Sequence, residues 1–432
     1  MQAGAGLLSV TAAVGAHAAA AAPAAPVISG ADTAWMLICT VLVMMMTMPG
    51  IILFYGGMLR TKNALSIVAH TVAAAAVVTL VWAAIGYSLA FTPGSGAFGG
   101  LFGGMTRAVG AGLLGGTAGV HPSAATVPES AFFMFQLAFA IITFAIILGA
   151  TAERMRLGVT VIFAGLWSLV VYAPVAHWVW HPTGWLAAMG HMDFAGGTVV
   201  HIASGASALV AAWVLGPRQG FGKTPMVPHN LMVTVLGGGL LWAGWFGFNA
   251  GSAFEASARA AGALLTTQVG ACAGAAVWGV CEYIRRGQWS VLGTISGAIA
   301  GLIAITPASG YVDIAGSMAI GGAAGLLCFS AVIVFKARTG IDDALDVFAL
   351  HGVGGLVGTV LTPVFAVAAI APVTATVWTN LIGGVAVMAY AGGATWVILK
   401  IIGLMTSLRV KAEHERVGLD IAEHGEMLSP GA

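Results

Sequence analysis

The chain has 432 residues, of which 59% are hydrophobic and only 7% are charged. An ordinary soluble domain is about one quarter charged, so lipid rather than water must solvate much of this surface. A net charge of +1 argues against a nucleic-acid-binding surface, and the 62 glycines suit close packing of membrane helices.

Residues 1–25 are rich in alanine and too short and small-sided for a convincing span. Ala16, His17 and Ala18 resemble a signal-peptidase site, but no Lys or Arg stands near Met1. A cleaved signal peptide and a retained flexible terminus both remain open. Apolar runs long enough to cross a bilayer then recur through a transmembrane domain over 32–408. They predict an all-α membrane protein with eleven spans, at 33–58, 64–91, 129–150, 157–180, 197–216, 230–251, 259–283, 291–307, 312–336, 346–368 and 375–407. The stretch 92–128 is Gly-, Ala-, Ser- and Thr-rich and reads as an external loop of limited chemistry. Residues 409–432 are the only segment of soluble-protein composition and read as a cytoplasmic tail.

Basic residues set the orientation. Arg60, Lys62, Arg154, Arg156, Arg218, Lys223, Arg285, Arg286, Lys336, Arg338, Lys400, Arg409, Lys411 and Arg416 all fall on one side if eleven spans alternate. Only Arg107 and Arg259 fall on the other. The expected topology has the N-terminus outside and the C-terminus in the cytoplasm. An odd count leaves two five-span halves of opposite orientation plus one extra span. His201 closes DFAGGTVVH in the fifth span, and His351 closes DALDVFALH in the tenth. Ionisable groups at membrane depth usually mark a transport path or proton relay. Two at equivalent places of an inverted repeat suggest one shared site near its axis.

Facing imidazoles could share a proton and present their outer nitrogens to a pore. Either histidine alone would more often be a satisfied core residue. Aromatics gather toward the outer span ends. Phe135 and Phe139 are one turn apart, Trp180 ends the fourth span, and Phe248 and Ser252 are one turn apart in the sixth. These fit an interfacial aromatic belt or a weak cation site, where an aromatic face contributes about 0.5–2 kcal/mol. Asp193 is placed to cap the fifth span, with a direct electrostatic role as the alternative. Asp343 and Asp346 read as caps of the tenth. Cys39, Cys272, Cys281 and Cys328 lack metal-ligand spacing and read as small buried residues. No enzyme site, metal site or cofactor motif is visible.

GIILFYGGMLR, FQLAFA, GATAERMR, DFAGGTVVH, GWFGFNAGS, SGAIAGL, FALHGVGG and GLDIAEHGE together resemble the ammonium transporter (Amt) family, in that family's order. The resemblance runs from about Asp32 to Glu426 and implies a homotrimer in the cell inner membrane, each protomer an eleven-helix bundle with its own pore. It implies substrate binding of NH4+ by Trp180, Phe135 and Ser252, a gate of Phe139 and Phe248, twin pore histidines at His201 and His351, and a structural aspartate at Asp193. NH4+ would lose its proton and NH3 would cross beside a proton relay. WHPTGWLAAMGHMD is longer by about a residue than the family pattern before Asp193. The tail resembles one that couples such subunits to trimeric PII-type nitrogen-signalling proteins. A passive NH3 or CO2 channel of Rhesus type and an ammonium sensor are the rival readings. The Trp180 and Ser252 pair opposes the first, and the short tail opposes the second.

Overall fold

The computed structural model describes residues 27–115 and 119–428. The segment expected to be a signal peptide or free terminus lies outside the described residues. Among the described residues no β-structure forms beyond isolated bridges, and ten helices are long and apolar enough to cross a membrane. They are α1 (Gly30–Met58), α2 (Thr61–Phe91), α3 (Glu129–Thr151), α4 (Leu157–Ala188), α5 (Gly197–Leu215), α6 (Leu231–Gly251), α7 (Ala258–Arg286), α9 (Ile314–Thr339), α10 (Phe348–Phe365) and α11 (Val377–Met405). A shorter apolar helix, α8 (Val291–Ile305), occupies the position of the eighth expected span.

The helix ends follow local chemistry. Side chains of Asn230, Ser257, Ser290, Asp313 and Thr376 each accept a backbone N–H at the start of α6, α7, α8, α9 and α11. Gly287 and Gly340 end α7 and α9 with φ of 73° and 67°. Five stretches widen into π-type turns inside or at the start of the spans. One, Met46–Ile51 in α1, contains Pro49, which lacks the N–H that a regular turn would use. Two others, Gly197–Ile202 and Phe348–Gly352, begin α5 and α10 and carry the two histidines. Hydropathy is blind to such turns, so the spans were legible but the wide turns were not.

Helix α3 is the most enclosed span, and α7, α9 and α11 carry the most exposed apolar surface. Ile284 and Leu404 are 79% and 89% exposed, as side chains facing lipid would be. The cysteine expectation is half corrected. Cys39 and Cys328 are buried, but Cys272 is exposed and Cys281 half-buried on α7. An apolar stretch in a membrane does not distinguish a lipid-facing from a core-facing position.

The basic ends of α1, α3 and α5 converge on one buried ionic network. Glu153 accepts from Arg60 at 2.8 Å and from Arg218 at 3.0 Å, and Arg218 also donates to Asp342 at 2.8 Å. Buried Arg154 donates to the backbone oxygen of Asp342 at 2.6 Å. Burial pushes the Glu153 and Asp342 carboxyls up, but their arginine partners outweigh it and hold both below the usual carboxylate range. Two short helices, α12 (Ala412–Val417) and α13 (Leu419–His424), lie against this end. Arg409 pairs with Glu415 at 2.7 Å. Lys62 donates to the carbonyls of Glu415 and Arg416. Asp420 accepts the N–H groups of Leu65 and Ser66 near the start of α2 at 3.0 and 2.8 Å.

Helices α5 and α10 meet backbone to backbone at Gly205 and Gly352. A Cβ on Gly205 would fall 2.2 Å from the backbone nitrogen of Gly352. Gly205→Ala must therefore separate the two helices, at a cost of about 1–3 kcal/mol. A thermal-unfolding scan of the detergent-purified protein should show a lower Tm. The control Gly393→Ala, in α11 with nothing within 4 Å of the added atom, should lie within about 0.5 kcal/mol of the parent.

Candidate functional site

A chamber of about 60 Å³ at the end opposite the ionic network, here termed outer, is lined by Phe91, Phe132, Gln136, Phe139, Trp180 and Ser252, together with Ser123, Phe194 and Phe254. That is room for one or two small polar molecules. The Ser252 hydroxyl donates to the carbonyl of Phe248 at 2.9 Å, so its lone pairs remain free to accept from a cation. Trp180 Nε1 donates to the backbone oxygen of Asp193 at 3.1 Å, which fixes the indole plane. Phe135 is not in the wall. It is fully buried behind it, with its ring 4.8 Å from Phe139 and 5.9 Å from Phe254. Gln136, which the sequence reading missed, lines the chamber with a buried side-chain oxygen that has no partner among the described residues. Its signal was present in FQLAFA, one residue beyond Phe135, but an isolated glutamine carries no periodicity.

Below the chamber the rings of Phe139 and Phe248 stack at 4.1 Å and 23° and close the path. Trp180 meets Phe139 edge-on at 5.9 Å. The line continues inward from Phe248 to His201 at 6.1 Å, and from His201 to Trp245 at 5.5 Å. Trp245 was another residue the sequence did not single out, because a tryptophan among apolar neighbours reads as packing.

His201 and His351 come together as expected, 150 positions apart in sequence, with Nδ1 facing Nδ1 at 3.2 Å. One Nδ1 must then donate and the other accept. In the neutral pair, one outer Nε2 is a bare acceptor and the other carries a proton. The Nε2 of His201 has no partner among the described residues. Both rings line a cavity of about 20 Å³ whose other walls are mostly apolar, among them Ile142, Ile146, Leu241, Ile299 and Val347. That volume admits about one water-sized molecule and no hydrated ion.

Asp193 proves to be the cap. Its carboxylate accepts from the N–H groups of Gly196, Gly197, Thr198 and Val199 at 2.8, 2.7, 2.8 and 3.2 Å. Both oxygens are thereby filled, and the helix dipole of α5 is met by a negative charge. The loop expected to have limited chemistry has more than that. Its Arg107 pairs with Glu129 at 2.6 Å, Tyr87 donates to the same carboxylate, and His121 stacks on Phe132 at 4.3 Å. The loop thus braces the outer chamber from behind. At the basic end the path opens into a wider vestibule of about 610 Å³, bordered by Arg218, Glu282, Arg286, Lys336 and Asp346.

These features define a multi-pass helical membrane protein with a narrow central path between two wetter mouths. The sequence model of the Ammonium Transporter Family matches residues 34–428. An ammonium transporter of Bacillus subtilis is 45% identical over 406 residues, spanning 91% of this chain and 97% of that one. The ammonium transporter Amt1 of Archaeoglobus fulgidus is 40% identical, spanning 92% and 99%. The crystal structure of Saccharomyces cerevisiae Mep2 superposes with a TM-score of 0.82 at 35% identity, covering 89% of this chain and 88% of that one. A structure titled Sensor Amt Protein gives a TM-score of 0.83 at 28% identity, covering 91% and 98%. The chain belongs to the ammonium transporter family.

Trp180→Leu keeps apolar bulk in the outer chamber but removes its indole face. A cation–π contribution of about 0.5–2 kcal/mol corresponds to a loss of about twofold to thirtyfold in apparent affinity. Concentration–response curves for ammonium-driven transport in liposomes should show that shift. An unchanged curve would leave Trp180 as packing only.

Proposed function

We propose that this protein carries ammonium across the inner membrane as an eleven-span homotrimer built on two inverted five-helix repeats, with its basic end in the cytoplasm. The observation that supports this most is the single line of groups from chamber to histidines: Trp180 and Ser252, then the Phe139–Phe248 stack, then the His201–His351 pair. NH4+ enters the outer chamber, where aromatic faces, the Ser252 oxygen and the Gln136 carbonyl replace part of its water. Phe135 supports that wall from behind. The cavity beyond has no carboxylate to hold a permanent charge, and an unpaired charge at membrane depth costs several kcal/mol. Ammonium therefore sheds its proton near the phenylalanine pair, and NH3 crosses the apolar cavity. The bare imidazole nitrogen accepts the proton, and the shared Nδ1 contact passes charge to the second ring. Asp193 holds the helix that aims His201.

Purified protein in liposomes on a solid-supported membrane tests this reading. An ammonium pulse should evoke a current, and a potassium pulse of equal concentration none. His201→Ala and His351→Ala should each cut the ammonium current by about tenfold or more, since proton transfer by a positioned group contributes at least that. Ammonia flux without current in the parent would turn the reading to a passive gas channel.

The cytoplasmic partner we infer is a PII-type nitrogen-signalling protein. The described tail is docked rather than free, and the adjoining vestibule, about 610 Å³ with Arg218, Arg286 and Lys336 on its rim, has room for an inserted loop. Deleting the residues after Arg409 should leave the transmembrane trimer intact on size exclusion. It should also impair transport, or its inhibition by a PII protein, in the same current assay. Equal current and equal inhibition in both forms would reduce the tail to a structural brace.

A further inference from the structure

The two histidine helices are capped by aspartates in matching positions, and the caps are not equivalent. Asp193 has both carboxylate oxygens filled by four N–H groups. Asp343 uses Oδ2 to accept the N–H of Phe348 at 2.7 Å, at the start of α10. Its Oδ1 has no hydrogen-bond partner among the described residues, although the residue is only 1% exposed. Capping α10 needs one oxygen. A second carboxylate oxygen left buried and unpaired is costly, and a proton on it is the cheapest remedy the site offers.

The position of Asp343 gives that proton somewhere to come from and somewhere to go. His351 is the fourth residue of the helix that Asp343 caps, about one turn inward. The chain just after Asp343 is the wall between two spaces. Leu345 and Val347 line the narrow cavity with His351, while Ala344, Leu345 and Asp346 line the wide vestibule. The charged and titratable groups that act on Asp343 come from each neighbouring element: Tyr55 of α1, Arg154 after α3, Lys336 of α9, and Asp346 in its own loop. Asp342 next to it is taken up by Arg218. Burial first, then the charge of Asp346, pushes the Asp343 carboxyl up to about 6, against the Phe348 N–H, Lys336 and the Val347 N–H, which lower it.

We propose that Asp343 is the proton-holding group on the inner side of the histidine pair, taking the proton stripped from ammonium and releasing it into the vestibule. The proposal rests on the reading of this pore as a proton-moving ammonium path. NH4+ gives its proton to the histidine pair and leaves NH3. That proton then passes to Oδ1 of Asp343, about one helical turn away, which restores a neutral histidine pair and forms a carboxylic acid. The acid then loses the proton to water in the vestibule and returns to carboxylate. One proton enters and one leaves for each ammonia, and no other reactant is required. The neutral acid also relieves repulsion from Asp346 while it exists. Asp193 differs in that both of its oxygens are occupied by the α5 cap.

The test uses the full-length protein in liposomes. Asp343→Asn keeps an oxygen for the Phe348 N–H but cannot hold a proton. Its ammonium current should fall by about a hundredfold, and the inflection near pH 6 in the parent's current profile should vanish. Passive ammonia flux, followed with an entrapped pH dye, should persist. Asp343→Glu should restore both the current and a titration. Isotope-edited infrared spectroscopy of the parent should show a protonated carboxyl band that appears below about pH 6 and shifts in Asp343→Glu. That measurement decides the matter even if Asp343→Asn fails to accumulate. Wild-type current with an unchanged pH profile in Asp343→Asn, or no titrating carboxyl band in the parent, overturns the proposal. A parent that passes ammonia without current fails the transport reading instead, and the infrared titration still reports separately whether Asp343 holds a proton.

Discussion

The site depends on two helices touching backbone to backbone. His201 and His351 belong to distant parts of the chain, and each leaves its own helix within the first turns. They reach 3.2 Å where glycines let the backbones of α5 and α10 come together. Gly205 meets Gly352, and an added Cβ on Gly355 would fall 2.9 Å from the carbonyl of Gly197 and from the Cβ of His201. A bilayer supplies no hydrophobic force between helices, so such close approach is how a membrane bundle gains packing energy. The wide turns at Gly197–Ile202 and Phe348–Gly352 rotate each histidine toward the other. The aspartate caps then hold those turns at both ends of the crossing.

Charge is confined to the two ends, and there it joins segments rather than decorating them. Glu153, with φ of 69°, sits in a conformation that a non-glycine residue seldom adopts. It persists because Arg60 and Arg218 hold it from two directions. Removing one partner of such a buried group typically costs about 3–5 kcal/mol, since the other charge is left without compensation. The same network reaches Arg154, Asp342 and, through Arg409, Glu415 and Lys62, the tail. Asp343 is the next residue after Asp342. The inner end of α10 is therefore tied at once to the tail and to the wall of the vestibule.

Most of the fold was legible in the sequence, because each span is an apolar run closed by a polar or basic residue. The expected edges at 129–150, 197–216 and 230–251 differ by only a residue or so from Glu129–Thr151, Gly197–Leu215 and Leu231–Gly251. The pairing of His201 with His351 was legible from their matching positions, and the Asp193 cap from its place before α5. What stayed hidden depends on three-dimensional direction. Nothing in FFMFQLAFA says that Gln136 lines the chamber while Phe135 packs behind its wall. The loop at 92–128 looked inert because its one strong cation, Arg107, finds its carboxylate on α3. The difference between Asp193 and Asp343 is a matter of which N–H groups each oxygen reaches, and no spacing rule contains it.

Magnitudes decide where along the path an ammonium ion would lose its charge. The outer chamber offers aromatic faces worth about 0.5–2 kcal/mol and two neutral oxygens, at Ser252 and Gln136. Carrying an intact cation past the stacked phenylalanines would cost several kcal/mol, with no carboxylate in the lining of the narrow cavity to offset it. On the proposed reading the chamber holds the ion loosely and does not escort it further. Neutral ammonia meets no such barrier, because it fits a cavity of about 20 Å³ and needs only the hydrogen bonds that two imidazole nitrogens provide. Potassium, having no proton to give up, faces the full cost at the same point. On this reading selectivity comes from the dryness of the middle of the path, and the weak outer site serves only to raise the local supply of ions that can be deprotonated there.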